Sequence, residues 1–408
     1  MLTQCVRLHK AYDARLESVE LPGINEDEIL VRIVTNTICM SDYKGLIQGE
    51  KHKRVPKSLS QKPVMMGHEI CGTIIEVGQR WRSFYRPSMR FTVQPGLNPP
   101  GTCYATGYSF PFFGGYSEYA IVPAYLIEAG GLLVYEGEAF FEGSLAEPYS
   151  CVISTVHSLY HTRQFEYEHL MGPKAGGSVL VIGACGSMGL ACLDYLAHGP
   201  YQIARIVACD INRKKLDRAA SLLDDPRLLF TDSNRLDELL ELNEAQGYDD
   251  VICMVAEPSI VELAQACLGG DGCLNFFAGP MERSFSARFN FYDVHYSSHH
   301  LIGTSGGGTA DMIEAVDLIS SRALNPFMLI THVGGLDCVT GSLKKLPALP
   351  GAKKLIYTHI SLPLTSLEDL GSNPMLKEVD SIVRSNGMAW SAEAERALFR
   401  AFAQNEEA

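Results

Sequence analysis

The chain has 408 residues, 46% of them hydrophobic and 20% charged, a globular composition with enough material for two or three domain cores. A formal net charge of −13 argues against a broad basic surface for nucleic acid, although a small anion remains possible where basic residues cluster locally. Twelve scattered cysteines, an N-terminus without an apolar h-region and no apolar run of the ~18 residues a membrane span needs point to a cytoplasmic chain with reduced thiols and no membrane or nucleic-acid partner.

In chain order, EILVRIVTNTIC, GTIIEVG, SMRFTVQPG and YSEYAIVP are short β-branched and aromatic runs punctuated by glycine and proline. They predict a β-rich, barrel-like first domain. The rhythm then changes. SVLVIG is a continuous apolar run, as expected of a strand buried on both faces. The helical MGLACLDYLAHG, the strand RIVACD, the helical NRKKLDRAASLL, the strand DDVICMVA, the helical IVELAQACLGG and the strand CLNFFAG follow it. This alternation predicts βαβ units and a doubly wound parallel sheet, so the fold class is α/β. LITHVGGLD, LKKLPAL and KKLIYTHI read as material returning to the first domain, and EAERALFRAFAQ as a terminal amphipathic helix. The expected division is residues 1–160 and 331–408 in one domain and 161–330 in the other.

GACGSMG follows SVLVI directly and opens a helix. Gly183, Gly186 and Gly189 form GxxGxxG, one residue longer at its start than GxGxxG. The physical demands are the same: a tight turn, close approach of a pyrophosphate to the backbone, and close packing of helix on strand. The helix N-terminus at Ser187 and Met188 then offers free N–H groups to the anion. Asp210 closes the next strand, where a carboxylate accepts ribose hydroxyls and repels a 2′-phosphate. NAD(H) is therefore favoured over NADP(H), although Arg213 and Lys214 nearby could tolerate the phosphate.

Three separate islands carry side chains that suit zinc: Cys39 in ICMSDYKG, His68 and Glu69 in MMGHEICG, and Glu147 in SLAEPYS. Thiolate, imidazole and carboxylate are the ligand types of a catalytic zinc that keeps one position open. Spacings this long do not by themselves bring the islands together.

GHEICGTIIEVG, GGYSEYAIVP and AEP ahead of the nucleotide-binding pattern resemble the zinc-containing medium-chain alcohol dehydrogenase superfamily over residues 1 to about 360. Glutamate in LAEPYS resembles the polyol branch of sorbitol and galactitol-1-phosphate dehydrogenases. The resemblance implies a GroES-like catalytic domain beside a Rossmann domain. It also implies one catalytic zinc, held by Cys39 and His68. Glu147 would be a direct ligand or hold the metal's water, with Glu69 able to exchange in. Ser41 would be the hydroxyl relay, Asp42 a support for the ligands, and Lys215 a neighbour of the adenosine ribose. Thr304 and Ser305 in GTSGGG would pass near the nicotinamide. The tail segments LPLTSLEDL and NGMAWSAEAERALF resemble the sorbose-phosphate-reducing members, which implies L-sorbose 1-phosphate and D-glucitol 6-phosphate as the substrate pair and a homo-oligomer as the assembly.

Two departures stand out. Met40 replaces the glycine usual after the ligand cysteine. Cys103 is alone where many members carry four cysteines, so no structural zinc is expected.

Between Cys39 and His68 lies GEKHKRVPKSLSQKP, with Lys51, His52, Lys53, Arg54 and Lys57 in an otherwise acidic chain. A solvated surface loop and a phosphate-gripping loop are both readings of it. Lys44, Lys53 and Arg54 are the candidates for the second. His299 and His300 are adjacent, so on a strand they face opposite ways and favour core or interface roles over joint metal binding. Tyr43 fits either the substrate pocket or the core. A metal-free enone or quinone reductase, a dehydrogenase of free polyols and a non-catalytic nucleotide-sensing protein are the alternatives on the same scaffold.

Overall fold

The computed structural model describes residues 1–97, 101–163 and 165–406, the side chains of 404–406 excepted. The chain forms two compact units. The first comprises Met1–Glu147, Gly308–Arg322 and Pro326–Ala408, and the second Pro148–Gly307 with Ala323–Asn325.

The second unit carries, among the described residues, a six-stranded parallel sheet. Its strands run Leu228–Thr231, Ile203–Cys209, Gly177–Ile182, Tyr248–Cys253, Leu268–Phe276 and His300–Gly303 across the sheet. In sequence order this is 3-2-1-4-5-6, the arrangement of a dinucleotide-binding Rossmann fold. Every residue of Gly177–Ile182 is buried, as an apolar run covered on both faces must be.

The first unit is built on Ile29–Ile38, nine of whose ten residues are buried. It pairs antiparallel with Ile70–Val77, with Tyr119–Val122 and with Lys353–Tyr357 in a mixed sheet of eight strands among the described residues. The core packs Ile29, Val31, Ile33, Ile70, Ile74, Phe91 and Val93 against Phe113, Leu126 and Leu132. This is the β-rich architecture expected of the first domain.

Register decides what this sheet can do. Asn36 lies opposite Ile70, and Ile38 opposite Lys354. The end of one strand therefore meets the starts of two others. Cys39 follows the first, His68 and Glu69 precede the second, and Lys353 opens the third.

Cys39 also caps the helix Met40–Gln48, with an extended backbone at φ −114°. Met40 sits in the first helical position, solvent-exposed, where no left-handed backbone is required. The glycine expected there is dispensable because the chain passes straight from strand to helix. No described helix is long and apolar enough to cross a membrane.

Candidate active site

Cys39, His68 and Glu69 offer a sulfur, a ring nitrogen and a carboxylate oxygen that all lie within 4.8 Å of one another. Asp42, fully buried on the first turn of the Met40–Gln48 helix, organises two of the three. Its Oδ1 lies 2.8 Å from His68 Nδ1, and its Oδ2 accepts from the Cys39 backbone N–H at 3.2 Å and from the Tyr116 hydroxyl at 2.6 Å. Committing Nδ1 to a carboxylate turns Nε2 toward the centre, as in carboxylate–histidine–metal triads.

Ser41 Oγ donates to Cys39 Sγ at 3.0 Å and lies 3.2 Å from His68 Nε2. Burial opposes a charge on His68, but Tyr108, Asp42 and the Cys39 sulfur outweigh it and hold the imidazole pKa well above its ordinary value. Mixed S, N and O donors whose ligating atoms lie within 4.8 Å of one another fit zinc.

Glu69 is buried and doubly engaged. Thr37 Oγ1 donates to Oε2, and Lys353 Nζ forms an ion pair with Oε1. Burial alone would discourage charge on Lys353. Glu69, then Cys39 and Glu147, more than restore it, and the amine's pKa is raised. Glu147 is half-buried on the helix Phe140–His157, immediately before Pro148. It lies outside the three-residue cluster, although its charge reaches Lys353.

Sequence reasoning missed Lys353, Tyr108 and Tyr116. Lys353 was detectable in principle: it heads KKLIY, a strand buried at all five positions, where a charged residue needs a partner.

Tyr108 stands between the cluster and the basic loop. Its ring centroid is 5.4 Å from that of His68 and 5.2 Å from that of His52, with which it stacks at 12°. The Arg54 guanidinium lies over the same ring at 5.8 Å. Burial, then Arg54, Lys53 and Lys44, push the His52 pKa down to about 4. Lys53 is exposed, and Lys57 bonds the carbonyl of Glu50. The loop is therefore split: His52 and Arg54 turn in, while Lys53 and Lys57 do not. Tyr43 packs against the apolar cluster of Leu46, Val339 and Leu343, which is the core reading.

In the second unit each glycine has its own task. Gly183 has φ +81°, Gly186 precedes the helix Ser187–His198, and a Cβ on Gly189 would lie 2.5 Å from the Ala184 carbonyl. Gly183, Gly186, Ser187 and Met188 remain partly open to solvent. Asp210 Oδ2 accepts from the Cys185 N–H and Oδ1 from the Asn212 N–H, both at 3.0 Å, which fixes the carboxylate at the strand end. Lys215 is exposed. Thr304 Oγ1 is tied to Thr155 and Asn275 inside the unit, and Ser305 is exposed. His300 pairs with Asp271 at 2.8 Å while His299 is buried, so they do not act as a joint pair.

A thiol, an oriented imidazole, a carboxylate and an intervening hydroxyl in one unit, with a glycine-turn dinucleotide fold in the other, define an alcohol dehydrogenase scaffold. Residues 25–129 match the model of the alcohol dehydrogenase GroES-like domain, and residues 186–321 that of the zinc-binding dehydrogenase. The chain belongs to the zinc-binding, medium-chain alcohol dehydrogenase family and is an oxidoreductase. It is 42% identical over 95% of both chains to a mannitol-1-phosphate 5-dehydrogenase of Aliivibrio fischeri. It is 40% identical over 97% of both chains to an L-sorbose 1-phosphate reductase of Klebsiella pneumoniae. A zinc-binding dehydrogenase from Sinorhizobium meliloti, solved bound to NADP, shares the fold with a TM-score of 0.73 at 19% identity, covering 88% of this chain and 99% of its own.

Proposed function

We propose that this chain transfers hydride reversibly between NAD(H) and the ketone–alcohol pair of a sugar or polyol phosphate, L-sorbose 1-phosphate and D-glucitol 6-phosphate being the favoured pair. The observation that carries the reading is Ser41 Oγ within hydrogen-bond reach of both Cys39 Sγ and His68 Nε2. Cys39 and His68 would hold one zinc, with Glu69 or Glu147 as the third ligand. When bound, zinc supplies Lewis acidity to the carbonyl oxygen and the nicotinamide supplies the hydride. The protein's own part is threefold. Asp42 holds the His68 tautomer, Ser41 moves the proton to and from the substrate oxygen, and Lys353 with Thr37 restrains Glu69. One zinc per chain is consistent with Cys103 being the sole thiol of its loop.

A phosphorylated substrate is supported by the sugar-phosphate substrates of the two 40–42% identical relatives and by the inward Arg54 guanidinium over Tyr108, beside a His52 that is a neutral hydrogen-bonding partner near pH 7. Among Lys44, Lys53 and Arg54, the position of Arg54 favours it as the phosphate anchor. Replacing Arg54 with alanine should raise KM for the ketose phosphate about 10- to 100-fold, the worth of a charge-assisted hydrogen bond, and leave a free ketose nearly unaffected. A screen of ketose phosphates against free ketoses, following cofactor oxidation, measures both. Equal, small losses on the two substrates would remove phosphate recognition from the loop.

NAD(H) is favoured by Asp210. A 2′-phosphate beside that fixed carboxylate costs about 4 kcal/mol at a 4 Å separation and an effective dielectric near 20. Asp210→Ser should therefore shift the NADP(H)/NAD(H) preference toward NADP(H) by at least about tenfold in kcat/KM. An unchanged ratio would mean the ribose is read elsewhere.

A second copy of the chain is the expected partner. The edge strand His300–Gly303, with exposed Phe291, Tyr292 and Tyr296 on the helix just before it, supports a homo-oligomer.

A further inference from the structure

The helix that carries Glu147 is capped only in part from within: Glu142 Oε2 accepts from the Ala139 N–H at 3.1 Å, which leaves the Phe140 and Phe141 N–H groups to another acceptor. Ala139 precedes Phe140–His157, and alanine offers no acceptor to the free N–H groups of a first turn. The acceptor comes from the far end of the chain. Glu395, on the helix Ala392–Glu406 and 3% exposed, accepts from the Phe140 N–H through Oε1 at 2.7 Å and from the Phe141 N–H through Oε2 at 3.0 Å. Oε2 also accepts from the Tyr357 hydroxyl at 2.9 Å, and Trp390 Nε1–H donates to the same hydroxyl oxygen at 3.0 Å. Tyr357 ends the strand whose first residue is Lys353. One buried carboxylate therefore grips two elements at once, and each bears a group of the metal centre.

We propose that Glu395 is a positioning residue for the metal centre, setting the Glu147-bearing helix and the Lys353-bearing strand against each other. This rests on the zinc reading of Cys39, His68, Glu69 and Glu147. Both arms are short and stiff. Glu147 lies seven residues along the helix from Phe140, roughly 10 Å at 1.5 Å per residue. Lys353 lies four residues along the strand from Tyr357, roughly 13 Å. The same helix is tied to the strand that ends beside Cys39, because Thr35 Oγ1 donates to the Phe140 carbonyl at 3.0 Å and meets Ser144 Oγ at 2.5 Å. Thr35 thus anchors the same first turn that Glu395 grips, and loss of the Glu395 bonds leaves that turn, and Glu147 beyond it, held from one side only. Burial pushes the Glu395 carboxyl up to about 7 against the pull of the Phe140 and Phe141 amides and the Tyr357 hydroxyl, so the group is held there by these partners.

The test compares the full-length wild type with Glu395→Ala, Glu395→Gln and Tyr357→Phe, each loaded with zinc and, separately, with cobalt. Metal release to a chromogenic chelator, the cobalt absorption spectrum, and kcat and KM are measured on the folded fraction. Glu395→Ala should release metal about tenfold faster, alter the cobalt spectrum and lower kcat about tenfold with KM changed less than about twofold, the scale seen when supporting groups around a metal are removed. Glu395→Gln, which keeps the size and one acceptor, should recover most of this. Tyr357→Phe, which frees the strand alone, should fall between. If Glu395→Ala melts at lower temperature but keeps wild-type metal release, spectrum and kcat, Glu395 is only a structural cap and the proposal is overturned. Should Glu395→Ala fail to fold, unchanged values in both Glu395→Gln and Tyr357→Phe overturn it equally. A wild type that takes up no metal would sink the zinc reading itself, a result distinct from either.

Discussion

Replacing Cys39 with serine is expected to remove bound zinc and to lower kcat/KM by at least about a thousandfold, roughly 4 kcal/mol of transition-state stabilisation. The substitution is nearly isosteric, so the fold should tolerate it. The half-buried side chain bonds Ser41, and the Cys39 backbone bond to Asp42 is independent of the side chain. What is lost is a soft anionic donor, which a hydroxyl does not replace at neutral pH. Metal analysis of the purified protein, alongside turnover, reads both effects. Asp42→Asn is the informative companion. It leaves all three proposed donors in place but weakens the restraint on His68 Nδ1, and should reduce metal affinity about 10- to 100-fold. A Cys39→Ser protein that contains no zinc yet turns over at the wild-type rate would instead favour a metal-free reductase on this scaffold.

The parts legible in the sequence are those whose chemistry is local. Gly183, Gly186 and Gly189 sit between a buried strand and a helix, and each glycine's need is set within a few residues of it. The four central strands, Gly177–Ile182, Ile203–Cys209, Tyr248–Cys253 and Leu268–Phe276, were legible because a strand covered on both faces is a continuous apolar run, whereas the edge strands Leu228–Thr231 and His300–Gly303 are only partly buried and carried no such run. The cluster of Cys39, His68 and Glu69 was not legible from spacing. Cys39 and His68 become neighbours only through the register of Ile29–Ile38 against Ile70–Val77, and a family resemblance was needed to join them. Lys353 and Glu395 escaped both routes. Their partners are 284 and 255 residues away, and a lysine or glutamate in isolation reads as surface. The basic loop shows the opposite limit. Its composition pointed to five side chains, but only packing against Tyr108 separates His52 and Arg54 from the solvent-facing Lys53.

Lys353→Met is expected to destabilise the first unit by about 3–5 kcal/mol, a far larger change than most single substitutions cause. Lys353 and Glu69 are both almost completely buried, and each is the other's principal counter-charge. Removing the amine leaves a carboxylate in a low-dielectric interior with only the Thr37 hydroxyl as donor, which does not offset a buried charge. Methionine fills the space of the lysine stem, so the cost reports charge and not cavity. The double variant Lys353→Met, Glu69→Gln should recover most of the loss, because a neutral amide no longer needs a cation. The coupling read from this cycle should exceed about 2 kcal/mol, as contacting buried partners allow. Denaturant titration of the four proteins without added metal measures it. Additive losses would mean that the two side chains are stabilised separately and that Lys353 does not restrain Glu69. A strong coupling would tie the third strand of the sheet directly to the electrostatics of the metal centre. Glu69 would then reach a metal only by giving up a buried ion pair, which favours Glu147 as the ligand at rest.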